Sequence, residues 1–203
     1  MKPTTRRIGS IVLALSLAAC ATSGRVAATP VAIGPDADRV DVSSVVGKPA
    51  LDWGAKTWVN ASPRRLEDLR GSVVLVRWFM TEECPYCSAT APTLVALDAK
   101  YASRGLAVIG MYHHKSDGPL VVDNVKKLIT DTWHFRFPVA IDDEWKTLKS
   151  WWLDAHPDSW TSVSFILDKR GVTRFVHLGG AYAPGSADHR QIEAWIEGLL
   201  AER

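Results

Sequence analysis

The run Val73 to Phe79 (VVLVRWF), followed within a few residues by Cys84-Pro85-Tyr86-Cys87, constrains this chain more than any other feature. An almost continuous apolar run of strand length, broken only by Arg77, is the pattern of a central strand covered on both faces. From Pro85 to about Ser103 the pattern turns helical, with Leu94, Leu97 and Tyr101 at spacings of three and four and Arg104-Gly105 as the stop. Leu106 to Met111 reads as a second buried strand. Strand, helix and strand in that order make a right-handed parallel βαβ unit, and the two cysteines fall where the central strand hands the chain to the helix.

That position gives the pair its chemistry. A disulfide stabilises mainly by closing a long loop in the unfolded chain, and a two-residue loop closes almost nothing, so stability does not explain the pair. A zinc site needs four ligands, commonly from a second CxxC or a spaced His pair. No second cysteine pair exists, and His113-His114 are adjacent. At a helix amino end, by contrast, unpaired N–H groups and the dipole favour thiolate over thiol, and thiolate is the form that attacks disulfides. Cys84 is therefore expected to be the nucleophile and Cys87, one turn inward, the resolving thiol. Neither a cofactor nor a metal is expected.

The remaining chain reads as one domain with an amino-terminal leader. Residues 1–19 have a basic start and an apolar run of about twelve residues, too short to span a bilayer. The leader ends in Leu17-Ala18-Ala19-Cys20, which resembles a bacterial lipobox, so Cys20 is expected to be the lipidated first residue of an exported protein. Ala21 rather than aspartate favours the outer over the inner membrane. Residues 20–45 read as a flexible tether and 46–203 as the folded domain. Within it, Leu51 to Val59 alternates like a hairpin, and Leu66 to Gly71 like a helical turn. Val121 to Thr130 and Glu144 to Trp152 read as helices, with Pro138 to Ile141 as a strand between them. Phe165 to His177 reads as a hairpin turning at Asp168-Lys169-Arg170-Gly171, and Gln191 to Leu200 as a closing helix. Charge enters at one point only. Without Lys2, Arg6 and Arg7 of the leader, 21 basic residues face 22 acidic ones, a balance with no basic footprint for nucleic acid.

Taken together, Cys84-Pro85-Tyr86-Cys87, Pro92 five residues after the second cysteine, Phe137-Pro138-Val139-Ala140-Ile141-Asp142, Phe165-Ile166-Leu167-Asp168 and His177-Leu178-Gly179-Gly180 resemble the thioredoxin superfamily. Within it the likeness is to secreted TlpA-like thiol-disulfide oxidoreductases and DipZ carboxy-terminal domains. The resemblance implies an α/β fold of three layers, α/β/α, around a central mixed sheet, here with an amino-terminal hairpin. It implies an enzyme that reduces or exchanges disulfides in envelope proteins, supplied by a redox partner and held to the membrane by its lipid. It also makes Pro85, Tyr86, Thr161 and Ser162 the candidate substrate contacts.

Two departures bear on the mechanism. Members of the superfamily place a cis-proline just before the Phe165 strand, and aligning on Phe165 puts Ser162 there. A non-proline cis bond costs about 2.5 to 4 kcal/mol, so a trans peptide is expected. Where the family has Trp before the nucleophile, this chain has Glu82-Glu83, whose like charges of roughly 1 to 3 kcal/mol each oppose a helix-end effect of up to about 2 kcal/mol. A thiol made less acidic gives a disulfide that is harder to reduce, which favours a reductant over an oxidant. Two other functions fit parts of the motif. A copper metallochaperone would use the two thiols and a distant histidine, although such cysteines usually stand four apart. A thiol peroxidase would use Thr81-x-x-Cys84, although Arg77 stands where peroxiredoxins have proline. His113 and His114 close the strand from Leu106 at the sheet edge where open α/β folds keep their sites; they are read as proton-transfer groups or as a solvated loop. His177 reads as a strand residue, and the nine tryptophans mostly as core.

Overall fold

The computed structural model describes residues 30–202. The leader and Cys20 lie outside the described residues. The strand expected from Val73 is β3 (Val73–Phe79), buried at every position. The helix that follows is α1 (Pro85–Tyr101), and β4 (Leu106–Tyr112) returns parallel to β3 in a register running from Val73↔Leu106 to Phe79↔Tyr112. A second helix, α2 (Val122–Lys127), carries the chain on to β5 (Val139–Ile141), again parallel to β4. Right-handed crossovers that advance in one direction along the sheet put α1 and α2 on the same face. The chain then passes a short helical turn, α3 (Lys146–Leu148), and recrosses to β6 (Ser164–Leu167), antiparallel to β3 on its other side. The hairpin partner of β6 is β7 (Thr173–His177), and α4 (Ala187–Ala201) closes the chain. The sequence expectations for these elements agree with the structure within a few residues, and the fold is thioredoxin-like.

The two faces of β3 separate two cores. Val73, Leu75 and Phe79 pack with Leu94, Leu97 and Tyr101 of α1, Val125 of α2, and Ile192, Ile196 and Leu199 of α4. Val74, Val76 and Trp78 pack with Leu148, Trp151 and Trp152 behind the sheet. Most tryptophans are core, as expected: Trp53, Trp58, Trp78, Trp133, Trp151 and Trp152 are buried.

The amino-terminal part departs from expectation. The hairpin expected over Leu51 to Val59 forms only β2 (Thr57–Val59), which pairs antiparallel with β5 at the sheet edge. The alternation there records two tryptophans turning inward rather than two paired strands. Trp53 and Trp58 meet edge to face at 5.9 Å, and Trp53 Nε1 donates to the Arg64 carbonyl at 2.7 Å, while Leu51 stays exposed. The stretch expected as tether is also partly structured. Within it β1 (Ala32–Ile33) lies parallel to β7, with Val176 N and Leu178 N donating to the Val31 and Ile33 carbonyls. The sheet order is thus β1-β7-β6-β3-β4-β5-β2. Among the described residues no helix is long and apolar enough to cross a membrane.

Candidate active site

Cys84 is the residue that caps α1. Its extended backbone (φ −78°, ψ 108°) ends the turn after β3, Cys84 N donates to the Thr81 carbonyl, and Pro85 opens the helix. Proline suits that first position because its missing N–H has no helical partner there. Cys84 Sγ accepts from Cys87 N at 3.3 Å, so a helix-end donor points at the sulfur expected to carry charge. The two cysteines form a disulfide with Cα atoms 5.3 Å apart. Cys87 is only 3% exposed, whereas Cys84 is partly open. The asymmetry places the accessible sulfur first and the shielded one behind it.

The loop before β6 faces this motif. Tyr86, 43% exposed, meets Trp160 edge to face at 5.7 Å. Trp160 is held from behind by Gly179, whose φ of +112° suits glycine and where a Cβ would lie 2.5 Å from the indole. Of the expected contacts, Pro85 and Tyr86 are exposed beside Cys84, Thr161 is half-buried next to Trp160, and Ser162 is buried. The described residues contain no cis peptide bond, so Ser162 has the trans geometry expected of it.

Sequence reading missed what holds Ser162. Arg77, in the middle of β3, is fully buried. Its guanidinium donates to the Ser162 carbonyl at 2.6 Å, to the Gly180 carbonyl at 2.9 Å and to Ser164 Oγ at 3.3 Å, and it lies 5.1 Å from the Tyr182 ring. Burial pushes the Arg77 guanidinium below its ordinary range, and no carboxylate pairs with it among the described residues. Tyr182 is in turn fixed to the active-site helix. Thr93 Oγ1 donates to the Tyr182 carbonyl at 2.7 Å, and Tyr182 N donates to Thr90 Oγ1 at 3.3 Å. Arg77 therefore links the loop opposite the disulfide to the helix that carries it. A lone arginine in an apolar run was the signal available in the sequence.

The histidines divide. His113 is fully buried, its ring edge-on to Trp145 at 5.0 Å and neither nitrogen partnered among the described residues. Burial first, then Lys115, Arg77 and His114, lower its pKa to about 3, so it is neutral at ordinary pH. It is therefore not part of a solvated loop. Its neighbour His114 is wired into the wall of a groove. Its Nε2 lies 2.7 Å from the Gly118 carbonyl, a pure acceptor, so Nε2 carries a proton, and its Nδ1 lies 3.2 Å from the Tyr112 hydroxyl. His177 lies on β7, as expected. It is buried, with Nε2 2.9 Å from Asp188, and its pKa falls to about 4 chiefly through burial and then Arg77, with Asp188 opposing.

Asp142, the last residue of the matched strand motif, is a structural hub rather than a catalytic group. It is buried and accepts from Trp78 Nε1 at 3.0 Å and from Thr147 N and Leu148 N at 2.8 Å, which caps α3. Glu144 and Trp145 just before α3 are left-handed (φ 52° and 59°), a strained turn for residues of this kind. The turn lets Trp145 Nε1 reach the His114 carbonyl at 2.7 Å. Among the described residues no group of three or more His, Cys, Asp or Glu is placed to hold a metal ion.

Comparisons with known proteins bear on this arrangement. The model of the AhpC/TSA family matches residues 46–176. No curated protein matches the chain. Among solved structures, a thiol-disulfide isomerase from Corynebacterium glutamicum superposes with a TM-score of 0.60 at 24% identity, covering 76% of this chain and 97% of its own. A thiol:disulfide interchange protein of the thioredoxin family from Chlorobium tepidum gives 0.57 at 18% identity, covering 77% and 97%. A thioredoxin-like superfamily protein, SPOA0173, gives 0.61 at 23% identity, covering 77% and 98%. These likenesses establish the fold.

Proposed function

The chain belongs to the AhpC/TSA family, and from that premise we propose that it is an exported, lipid-anchored thiol-disulfide oxidoreductase that reduces or exchanges disulfides in envelope proteins. The observation that carries the reading is the unequal pair: an accessible Cys84 at the amino end of α1, receiving the Cys87 N–H, with Cys87 buried one turn behind it. In the reduced state the Cys84 thiolate attacks one sulfur of a substrate disulfide. That S–S bond breaks, its other sulfur leaves as thiolate and takes a proton, and a mixed disulfide remains. Cys87 then gives up its proton and attacks Cys84 Sγ, releasing the second substrate thiol. Two electrons pass from the dithiol to the substrate, and the protein is left as the Cys84–Cys87 disulfide. A dithiol donor returns it to the reduced state.

With dithiothreitol as donor, the protein should accelerate the reduction of insulin, and Cys84→Ser should reduce that acceleration to the uncatalysed rate. Cys87→Ala should instead accumulate mixed disulfides that survive gel electrophoresis without reductant. Rates equal for wild type and Cys84→Ser would overturn the reading. The same protein supplied with hydrogen peroxide tests the peroxidase alternative, which needs faster thiol oxidation by peroxide than by disulfide. Anchoring rests on Leu17-Ala18-Ala19-Cys20. One acyl chain holds a protein only marginally and two or more hold it stably, so wild type should sediment with membranes and Cys20→Ser should not.

A further inference from the structure

Between the start of α1 and the helix α2 lies an open groove of about 450 Å³, within the range of binding sites for small ligands and side chains. Its near end is the turn Thr81-Glu82-Glu83 immediately before Cys84, and its walls include Tyr112 and His114 from the end of β4 and Asn124 and Lys127 on α2. The wall is built rather than loose. His114 is bonded on both ring nitrogens, to the Tyr112 hydroxyl and to the Gly118 carbonyl, and Ser116 Oγ lies 2.9 Å from Nε2. Its carbonyl is gripped by Trp145. The turn is fixed by Cys84 N donating to the Thr81 carbonyl and by Ser88 Oγ donating to the Glu82 carbonyl at 2.8 Å. Thr81 Oγ1, shielded from solvent, has no hydrogen-bond partner among the described residues.

The charges at the near end are unbalanced. Glu82 and Glu83 are exposed and form no ion pair among the described residues, and Lys127 is the only lysine or arginine in the lining. Two carboxylates beside a nucleophilic sulfur repel its thiolate and repel any anionic substrate. The same two carboxylates attract a cation brought to the groove.

We propose that this groove selects polypeptide disulfides that carry a basic side chain next to the cystine, with Glu82 and Glu83 as the specificity-determining residues. This rests on the oxidoreductase reading above and names its substrate class. The basic side chain lies along the turn, offsets one of the two negative charges and leaves the cystine beside Cys84. Specificity of this kind acts through Coulomb attraction in a partly solvated groove, so salt weakens it.

The test uses the reduced full-length protein and follows single-turnover oxidation of its dithiol by thiol labelling after acid quench. The oxidants are uncharged hydroxyethyl disulfide and two disulfide-linked peptides of equal length, one with Lys and one with Glu beside the cysteine. At low salt the Lys peptide should react at least tenfold faster than the Glu peptide. In Glu82→Gln/Glu83→Gln, or in about 1 M salt, where charges are screened within a few ångströms, the ratio should approach one. Asn124→Trp, at an exposed helix position that narrows the groove, should slow both peptides several-fold. A wild-type ratio within twofold of one overturns the inference, as does a ratio that survives the double substitution, or Asn124→Trp leaving both peptides as fast as before. If hydroxyethyl disulfide itself fails to oxidise the dithiol, the oxidoreductase reading falls, and this one with it. If it oxidises the dithiol and the peptides do not differ, only the specificity falls.

Discussion

Arg77 shows how much one side chain decides here. A fully buried guanidinium with only neutral acceptors is costly, yet it satisfies two buried carbonyls that have no other donor among the described residues and adds a bond to Ser164 Oγ, which also meets the Tyr182 hydroxyl. Removing it relieves the desolvated charge and orphans the carbonyls, each worth roughly 1 to 3 kcal/mol. Because two carbonyls are orphaned at once, the second effect should win. Arg77→Met is expected to lower unfolding free energy by about 2 kcal/mol in urea titrations. Arg77→Lys should do no better, since one ammonium cannot span Ser162 and Gly180 together. If the charge itself were all that mattered, Met would stabilise the protein and Lys would be neutral. The sequence exposed Arg77 only as an interruption, because its acceptors stand 85 and 103 residues away. Cys84 and Cys87 were legible for the opposite reason: their partners are each other and the first turn of a helix.

At the scale of elements, what could be read was whatever has a period or a local stop signal. β3, α1 and β4 announced themselves through apolar spacing and Gly105, and the parallel pairing followed from chain order. The irregular piece between β5 and β6 was harder, because its shape depends on Asp142 reaching forward to Thr147 N and Leu148 N and on two left-handed residues. The edge strand β1 was illegible for want of length, since two residues show no alternation. It still matters to the sheet. Deleting residues 1–34 removes the acceptors of Val176 N and Leu178 N and bares the edge of β7. The truncated protein should lose roughly 1 to 3 kcal/mol of stability and show concentration-dependent association by light scattering, as an uncovered edge invites pairing with another chain. A monomer of unchanged stability would show that β1 covers nothing of consequence. The groove beside α1 was half legible: Glu82 and Glu83 were recognised as charges opposing the thiolate, but the wall facing them comes from β4 and α2.

For the molecule as a whole, the two buried histidines set the response to acid. His113 and His177 hold pKa values of about 3 and about 4 in the folded state against 6.5 for the free side chain, burial being the main cause of both. Below about pH 6.5 the unfolded chain takes up protons that the folded protein refuses, so stability falls as pH drops through that value and levels off only near the folded pKa values. The loss should reach several kcal/mol by about pH 4, since in that window each tenfold rise in proton concentration costs up to roughly 1.4 kcal/mol per histidine. His113→Phe, which keeps a ring against Trp145, should flatten the decline by about half when denaturant midpoints are compared between about pH 7 and pH 4. An undiminished slope would place the acid sensitivity elsewhere. One last property follows from the direction of β1. It runs parallel to β7 and hence to β3, which ends at the disulfide, and through His177 and Ser164 its Ile33 stands level with Arg77. From Ala32 to Ile33 the chain thus advances toward the end of the sheet that bears the redox pair, so the first described strand and the active-site strand share one direction.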